Sequence, residues 1–180
     1  DYVRENCVRF PELLVSWSQK NSPLYSSQTE TFYFEMLGSK LEGVEGEEAL
    51  MKVLRHFRRE QMMRLMSRDV LNLAELKETL ADVSALADAC VVKSLNFLYE
   101  LLVEKHGRPL SRAKDGMPPE QQYMLVMAMG KHGAKELNVS SDIDLIFAYP
   151  ETGETDHPKK PIENQLFFTR LGQKLIHALD

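Results

Sequence analysis

Cysteine is scarce in this 180-residue chain: Cys7 and Cys90 are the only two, far apart and without the spacing of a metal site or a disulfide framework. They read as reduced structural thiols. Long apolar runs are missing as well. No stretch of about 18 apolar residues exists, so no transmembrane helix is expected. Asp1, Arg4 and Glu5 stand where a signal peptide would need an apolar segment. The expectation is a soluble, cytoplasmic chain with no membrane partner. Basic excess is also lacking: a net charge of −5 argues against a general nucleic-acid binder, which would carry a surplus of Lys and Arg. Neither an internal repeat nor a low-complexity tract is present. A hydrophobic content of 43% suffices for one sizeable core, or for a helical domain joined to part of another.

What is there divides near residue 107. From Glu47, Leu50, Val53, Leu54 and Phe57 follow helical spacing, and Met62 and Leu65 continue the stripe. A second long helix is predicted from near Thr79, carrying Leu80, Val83, Ala87, Cys90, Val91, Leu98 and Leu101 until Gly107 and Pro109 stop it. Residues 1–43 also read as helical, with breaks at Pro11, Pro23 and Gly38. Residues 1–107 are therefore expected to form a helical bundle. Beyond a loop over Ser111–Glu120, the apolar run Tyr123–Met129 predicts a buried strand, and Asp142–Tyr149 a second one. After a polar loop at Glu151–Pro161, Asn164–Leu179 returns to helix with Leu166, Phe167, Leu171, Leu175 and Ile176 on one stripe. The fold class expected is α+β, mainly helical, with residues 108–180 forming part of an α/β domain.

The segment from Met129 to Phe147 carries the chemistry. It reads as a Gly-containing turn, a short helical piece over Ala134–Leu137, then a strand bearing two carboxylates. An extended chain alternates its faces and rises roughly 3.3 Å per residue, so Asp142 and Asp144 point the same way about 6.6 Å apart. Carboxylate oxygens together with substrate phosphates and water suit Mg²⁺ or Mn²⁺. Gly130 and Gly133 let backbone approach a phosphate, and amides opening the piece Ala134–Leu137 can donate to it. Either element alone is weak, since an Asp-apolar-Asp strand also describes a solvated edge. In this order, with Asp142 nine residues beyond Gly133, they match the nucleotidyltransferase pattern of apolar-Gly-Gly/Ser, a short gap, then Asp-apolar-Asp/Glu-apolar.

The longer wording, Gly130-Lys131-His132-Gly133 through Glu136-Leu137-Asn138-Val139-Ser140-Ser141-Asp142-Ile143-Asp144-Leu145-Ile146-Phe147, resembles the bacterial glutamine synthetase adenylyltransferase/adenylyl-removing family. Likeness extends upstream to Leu54–Arg64, to Arg68-Asp69 and to Glu78–Cys90, and downstream through Asn164–Gln173. Members carry two nucleotidyltransferase (polymerase-beta-like) domains in tandem. Asn138-Val139-Ser140-Ser141-Asp142-Ile143-Asp144 looks like the N-terminal, adenylyl-removing copy, whereas the C-terminal copy reads closer to Gly-Tyr-Gly-Ser-Asp-Leu-Asp. The resemblance implies phosphorolysis: inorganic phosphate attacks AMP-tyrosine on glutamine synthetase and releases ADP. It implies Asp142 and Asp144 as catalytic metal ligands. Gly130, Lys131, Gly133, Ala134, Ser140 and Ser141 are the candidates for holding nucleotide or phosphate. The partners implied are an adenine nucleotide, inorganic phosphate, glutamine synthetase and a PII-type nitrogen signal protein.

Two departures stand against the family pattern. Where Leu-Gly-Gly is common, this chain has His132-Gly133-Ala134, and nothing before Asp180 matches the segment that carries the family's third carboxylate. The chain is therefore expected to be a fragment. Alternatives are the opposing activity, AMP addition from ATP to glutamine synthetase, and a non-catalytic regulatory or binding module. Among single residues, Ser140 and Ser141 fit local turn chemistry as well as phosphate, and Lys131 fits a solvated loop lysine. His132 has no second histidine or cysteine at ligand spacing. The basic cluster Arg55, His56, Arg58, Arg59, Arg64 and Arg68 predicts a solvated, salt-bridged surface, or else arginines facing the active cleft or glutamine synthetase.

Overall fold

A computed structural model describes residues 2–12, 15, 22–113 and 116–180. The helical expectation for the rest of residues 1–43, and the loop expectation at 114–115, lie outside the described residues. The elements are α1 (Tyr2–Arg9), a 3₁₀ turn (Pro23–Tyr25), α2 (Glu30–Leu41), α3 (Glu47–Val70), α4 (Leu76–His106), β1 (Leu125–Ala128), α5 (Gly130–Gly133), β2 (Leu145–Ala148) and α6 (Asn164–Leu179). The chain is mainly helical with one small antiparallel sheet. Among the described residues no helix is long and apolar enough to cross a membrane.

Helix α4 is the hub. Asp82, Val83, Ser84, Ala85 and Leu86 are buried in succession, and at 3.6 residues per turn five consecutive residues cover the whole circumference. Helices α2, α3 and α6 all pack on it. One continuous core results, from Tyr33 and Leu37 through Leu50, Phe57 and Leu98 to Phe167, Leu171 and Leu175. The boundary near residue 107 thus marks where helix gives way to loop and strand, while packing runs across it. Tyr99 joins the two sides: its ring meets Phe167 edge-on at 5.6 Å and its hydroxyl donates to the Gln122 carbonyl at 2.9 Å.

Three features outside the carboxylate segment differ from the sequence expectation. Gly38 lies inside α2 instead of breaking it. A Cβ there would stand 3.0 Å from Lys93 Nζ, so the missing side chain makes room for a neighbour on α4. The first strand is shorter than Tyr123–Met129 and is covered on one face only. Val126 packs on the core with Phe147, while Leu125, Met127 and Ile146 remain 58%, 47% and 46% exposed. An antiparallel pair with a single helical layer against it leaves alternate residues facing outward. Arg64 and Arg68, finally, do not belong to a solvated surface. Both are buried, because α3 turns this stretch toward α2, α4 and the 3₁₀ turn.

Those two arginines build a polar core. Arg64 donates from Nη2 to the Tyr33 hydroxyl at 2.5 Å and from Nε to Gln61 Oε1 at 3.2 Å, with Asp82 Oδ2 at 3.8 Å. Burial raises the Asp82 carboxyl above its ordinary range, and Arg64 opposes that rise. Burial likewise pushes the Tyr33 hydroxyl upward. Arg68 donates to the Leu24 carbonyl at 2.7 Å and pairs with Glu78. Arg55 and Arg58, nearer the start of α3, stay exposed, and Arg59 covers the Phe10 ring.

Removing one member of a buried charged network leaves its partner without compensation. Arg64→Ala is expected to lower unfolding free energy by about 3–5 kcal/mol in urea titration, against less than about 0.5 kcal/mol for exposed Arg55→Ala.

Candidate active site

The sheet pairs Leu125 with Ala148, Val126 with Phe147, Met127 with Ile146 and Ala128 with Leu145. One further backbone bond, from the Met129 amide to the Asp144 carbonyl at 2.9 Å, ties the end of β1 to the carboxylate segment. Asp142 and Asp144 therefore lie in extended chain just ahead of β2, outside the ladder proper. The alternation still holds across them. Asp142, Asp144 and Ile146 are exposed while Ile143, Leu145 and Phe147 are half-buried, so both carboxylates share one face.

Gly130 faces the second of them. Its φ of +54° favours glycine, and a Cβ there would lie 3.7 Å from Asp144 Oδ2. Gly133 answers a different need. A Cβ at that position would stand 2.5 Å from the Ala128 carbonyl oxygen, so the turn folds tightly back on the end of β1.

Helical geometry appears at Gly130–Gly133 and not at Ala134–Leu137. The chain winds as soon as the ladder ends, and Lys135 stops it in the left-handed region at φ +59°. Ala134 has φ −83°, comfortable for a methyl group. Amides of the later residues already have acceptors: Gly133 on Met129, Ala134 on Gly130, Lys135 on His132 and Glu136 on Lys131. The N–H groups at the start of the turn, on Gly130, Lys131 and His132, are those a helix leaves without internal partners. Asn138 Oδ1 accepts from the Ser140 amide, the Ser140 hydroxyl and the Ser141 hydroxyl at 2.9–3.0 Å, which is local turn chemistry.

His132 is only 2% exposed, and its Nε2 lies 2.8 Å from Asp88 Oδ1. Lys135 pairs with the other oxygen of Asp88, and that hydrogen bond holds its ammonium above the usual lysine range. Ser84, one helical turn before Asp88, accepts from the Leu137 amide at 3.2 Å. These contacts from α4 are not anticipated above. The available signal was two polar residues four apart inside an otherwise apolar helix stripe.

Asp142 and Asp144 line a cavity of about 920 Å³ between the Asn138–Phe147 segment and helices α3, α4 and α6. Among the described residues Arg58 is the one cationic side chain lining it, and its Nη1 donates to the Leu179 carbonyl at 2.8 Å. Cys90 is also in the wall, its thiol pushed up to about 12 by burial. Among the described residues no three His, Cys, Asp or Glu side chains are grouped as a metal cage. Two hard oxygen donors on one face fit a Mg²⁺- or Mn²⁺-type ion that takes its remaining ligands from water and phosphate.

The family model described as glutamate-ammonia ligase adenylyltransferase matches residues 1–180. The chain belongs to that family. Proteins named bifunctional glutamine synthetase adenylyltransferase/adenylyl-removing enzyme are similar to it over all 180 residues: 44% identical in Pseudomonas aeruginosa, 43% in Hahella chejuensis and 40% in Nitrosococcus oceani. It spans 18% of the length of each of these relatives.

Two outcomes are expected from this geometry. Gly133→Ala should destabilise by about 1–3 kcal/mol in thermal or urea unfolding, because the new methyl overlaps backbone; Ala134→Gly, by contrast, should shift stability by less than about 1 kcal/mol, the cost of a freer unfolded backbone. With its thiol so strongly protonated, Cys90 should resist iodoacetamide from pH 7 to 9 and label only in denaturant, as mass spectrometry of tryptic peptides would read.

Proposed function

We propose that this chain supplies acidic active-site residues for phosphorolytic removal of AMP from a tyrosine of glutamine synthetase. The observation carrying the proposal is the pair Asp142 and Asp144, on one exposed face beside Gly130 and at the wall of a large cavity. Family membership supports nucleotidyl transfer in general, and the names of the relatives supply both directions of it. The wording Asn138-Val139-Ser140-Ser141 favours removal over addition, through its likeness to the N-terminal copy.

In the reaction, an oxygen of inorganic phosphate forms a bond to the AMP phosphorus as the bond to the tyrosine oxygen breaks. ADP and a tyrosinate result, and the tyrosinate takes a proton from water. Asp142 and Asp144 would hold Mg²⁺ or Mn²⁺, which offsets phosphate charge and assists the leaving oxygen. The opening amides of the glycine turn, at Gly130, Lys131 and His132, would donate to phosphate oxygens. Lys131 adds a positive charge beside them. Proton transfer demands little of the protein, because a phenol of pKa about 10 is a fair leaving group. Positioning and electrostatics carry the rest. Such an enzyme would act in the cytoplasm, with a PII-type protein reporting nitrogen status.

The test sets this chain in place of the matching 180 residues of the Pseudomonas aeruginosa relative and follows phosphate-dependent ADP release from AMP-modified glutamine synthetase. Release is expected. Asp142→Asn in the chimera should lower it roughly 100-fold or more, since several kcal/mol of charge stabilisation are lost. If the variant releases ADP at the unmodified rate, the carboxylates are not the site. AMP transfer from ATP, with release of pyrophosphate and no phosphorolysis, would assign the adenylyltransferase activity instead, and silence with retained binding to the synthetase would leave a docking module.

A further inference from the structure

Asp88 and Ser84 lie on α4, inside the Glu78–Cys90 stretch, and neither is exposed to the cavity that holds the carboxylates. Both reach the glycine turn. Asp88 divides its two oxygens between His132 Nε2 and Lys135 Nζ, on either side of Gly133. A carboxylate only accepts, so Nε2 of His132 carries the proton of that bond; Nδ1 is buried without a hydrogen-bond partner. Ser84 accepts from the Leu137 amide and donates its hydroxyl to the Leu80 carbonyl at 2.8 Å. Four residues apart, the two side chains share one face of the helix. The turn is thus held at residues 132, 135 and 137 from α4, and at Met129 by the Asp144 carbonyl.

We propose that Asp88, with Ser84 beside it, is a positioning residue that fixes the glycine turn against α4 and so sets where the turn's opening amides stand relative to Asp142 and Asp144. The placement explains why a buried imidazole occupies the turn: His132 is the arm through which the helix grips it. Lys135, half in solvent, is the weaker arm, since an exposed ion pair contributes little. The bundle and the phosphate-binding backbone then move as one body. Loss of the Asp88 contact alone would change phosphate affinity, while the carboxylates keep the anchoring of Ile143 and Phe147 on the core. This inference rests on the phosphorolysis reading for its kinetic consequence and on the geometry alone for the clamp.

Two experiments separate those parts. Amide hydrogen exchange on this chain reads the clamp directly. Asp88→Ala should accelerate exchange at Gly133–Leu137 while leaving the amides of α2 and α6 as protected as before, and Asp88→Asn, which keeps an acceptor for His132, should restore most of the protection. In the chimera, Asp88→Ala should raise the phosphate KM about 10- to 100-fold, the usual cost of losing a supporting partner. Mn²⁺ affinity should stay within about twofold, and Asp88→Asn should recover most of the KM. Unchanged exchange in the turn would overturn the clamp. So would a uniform loss of protection, kcat, KM and metal affinity that Asp88→Asn fails to rescue, since that pattern belongs to general destabilisation. A chimera without phosphorolysis before any substitution would sink the functional reading instead, and exchange would then decide the clamp alone.

Discussion

Everything in this structure depends on a single 31-residue helix whose Asp82–Leu86 stretch is buried all the way round. Apolar contacts with α2, α3 and α6 use most of its surface, and small residues such as Ala85 and Ala89 let those neighbours come close. The remaining strip faces the glycine turn, which presents backbone amides and an imidazole. An apolar side chain on that strip would leave those groups buried without partners, a cost of about 1–3 kcal/mol each. Ser84 and Asp88 are the solution the sequence adopts. Packing and site geometry are therefore set by the same helix.

A second consequence of close packing around α4 is the buried Arg64 network. Charges leave water at considerable cost, and an ion pair in the interior seldom outperforms well-fitted apolar side chains. Hydrogen bonds make this one tolerable: Tyr33, Gln61 and a backbone carbonyl share the guanidinium with Asp82. Arg68 repeats the pattern with two carbonyls and Glu78. Together these contacts tie α3 to α2, the 3₁₀ turn and the start of α4.

How far the fold was legible follows from which interactions leave a periodic trace. Helices α3, α4 and α6 could be read because their apolar residues recur at helical spacing, and the stop at Gly107 is visible as Gly followed closely by Pro. Gly38 reads as a break because composition does not tell a glycine that bends a chain from one that admits a lysine. Arg64 and Arg68 looked solvated because charge patterns carry no record of burial. At the site, the alternation through Asp142 and Asp144 was legible. The winding of the turn four residues early was not, since it answers to the end of β1 at Ala128 and to α4, which are other elements of the fold. Asp88 was invisible for the same reason: its partners lie 44 and 47 residues away.

The carboxylates themselves raise a question of rigidity. A two-stranded sheet is marginal alone, and Asp142 and Asp144 precede even that short ladder. Their orientation must come from the residues between and after them. Ile143 and Phe147 pack on the core, and Tyr149 stacks on Phe168 of α6 at 4.9 Å. Alternation converts that anchoring into a fixed direction for the aspartates, since every inward residue turns its neighbours outward. Met129, bonded to the Asp144 carbonyl, then places the turn at a set distance from the second carboxylate. The acidic pair is exposed enough to meet a phosphate yet held from behind by the apolar core that α4 organises, so the order of the site is inherited from the bundle more than from the sheet.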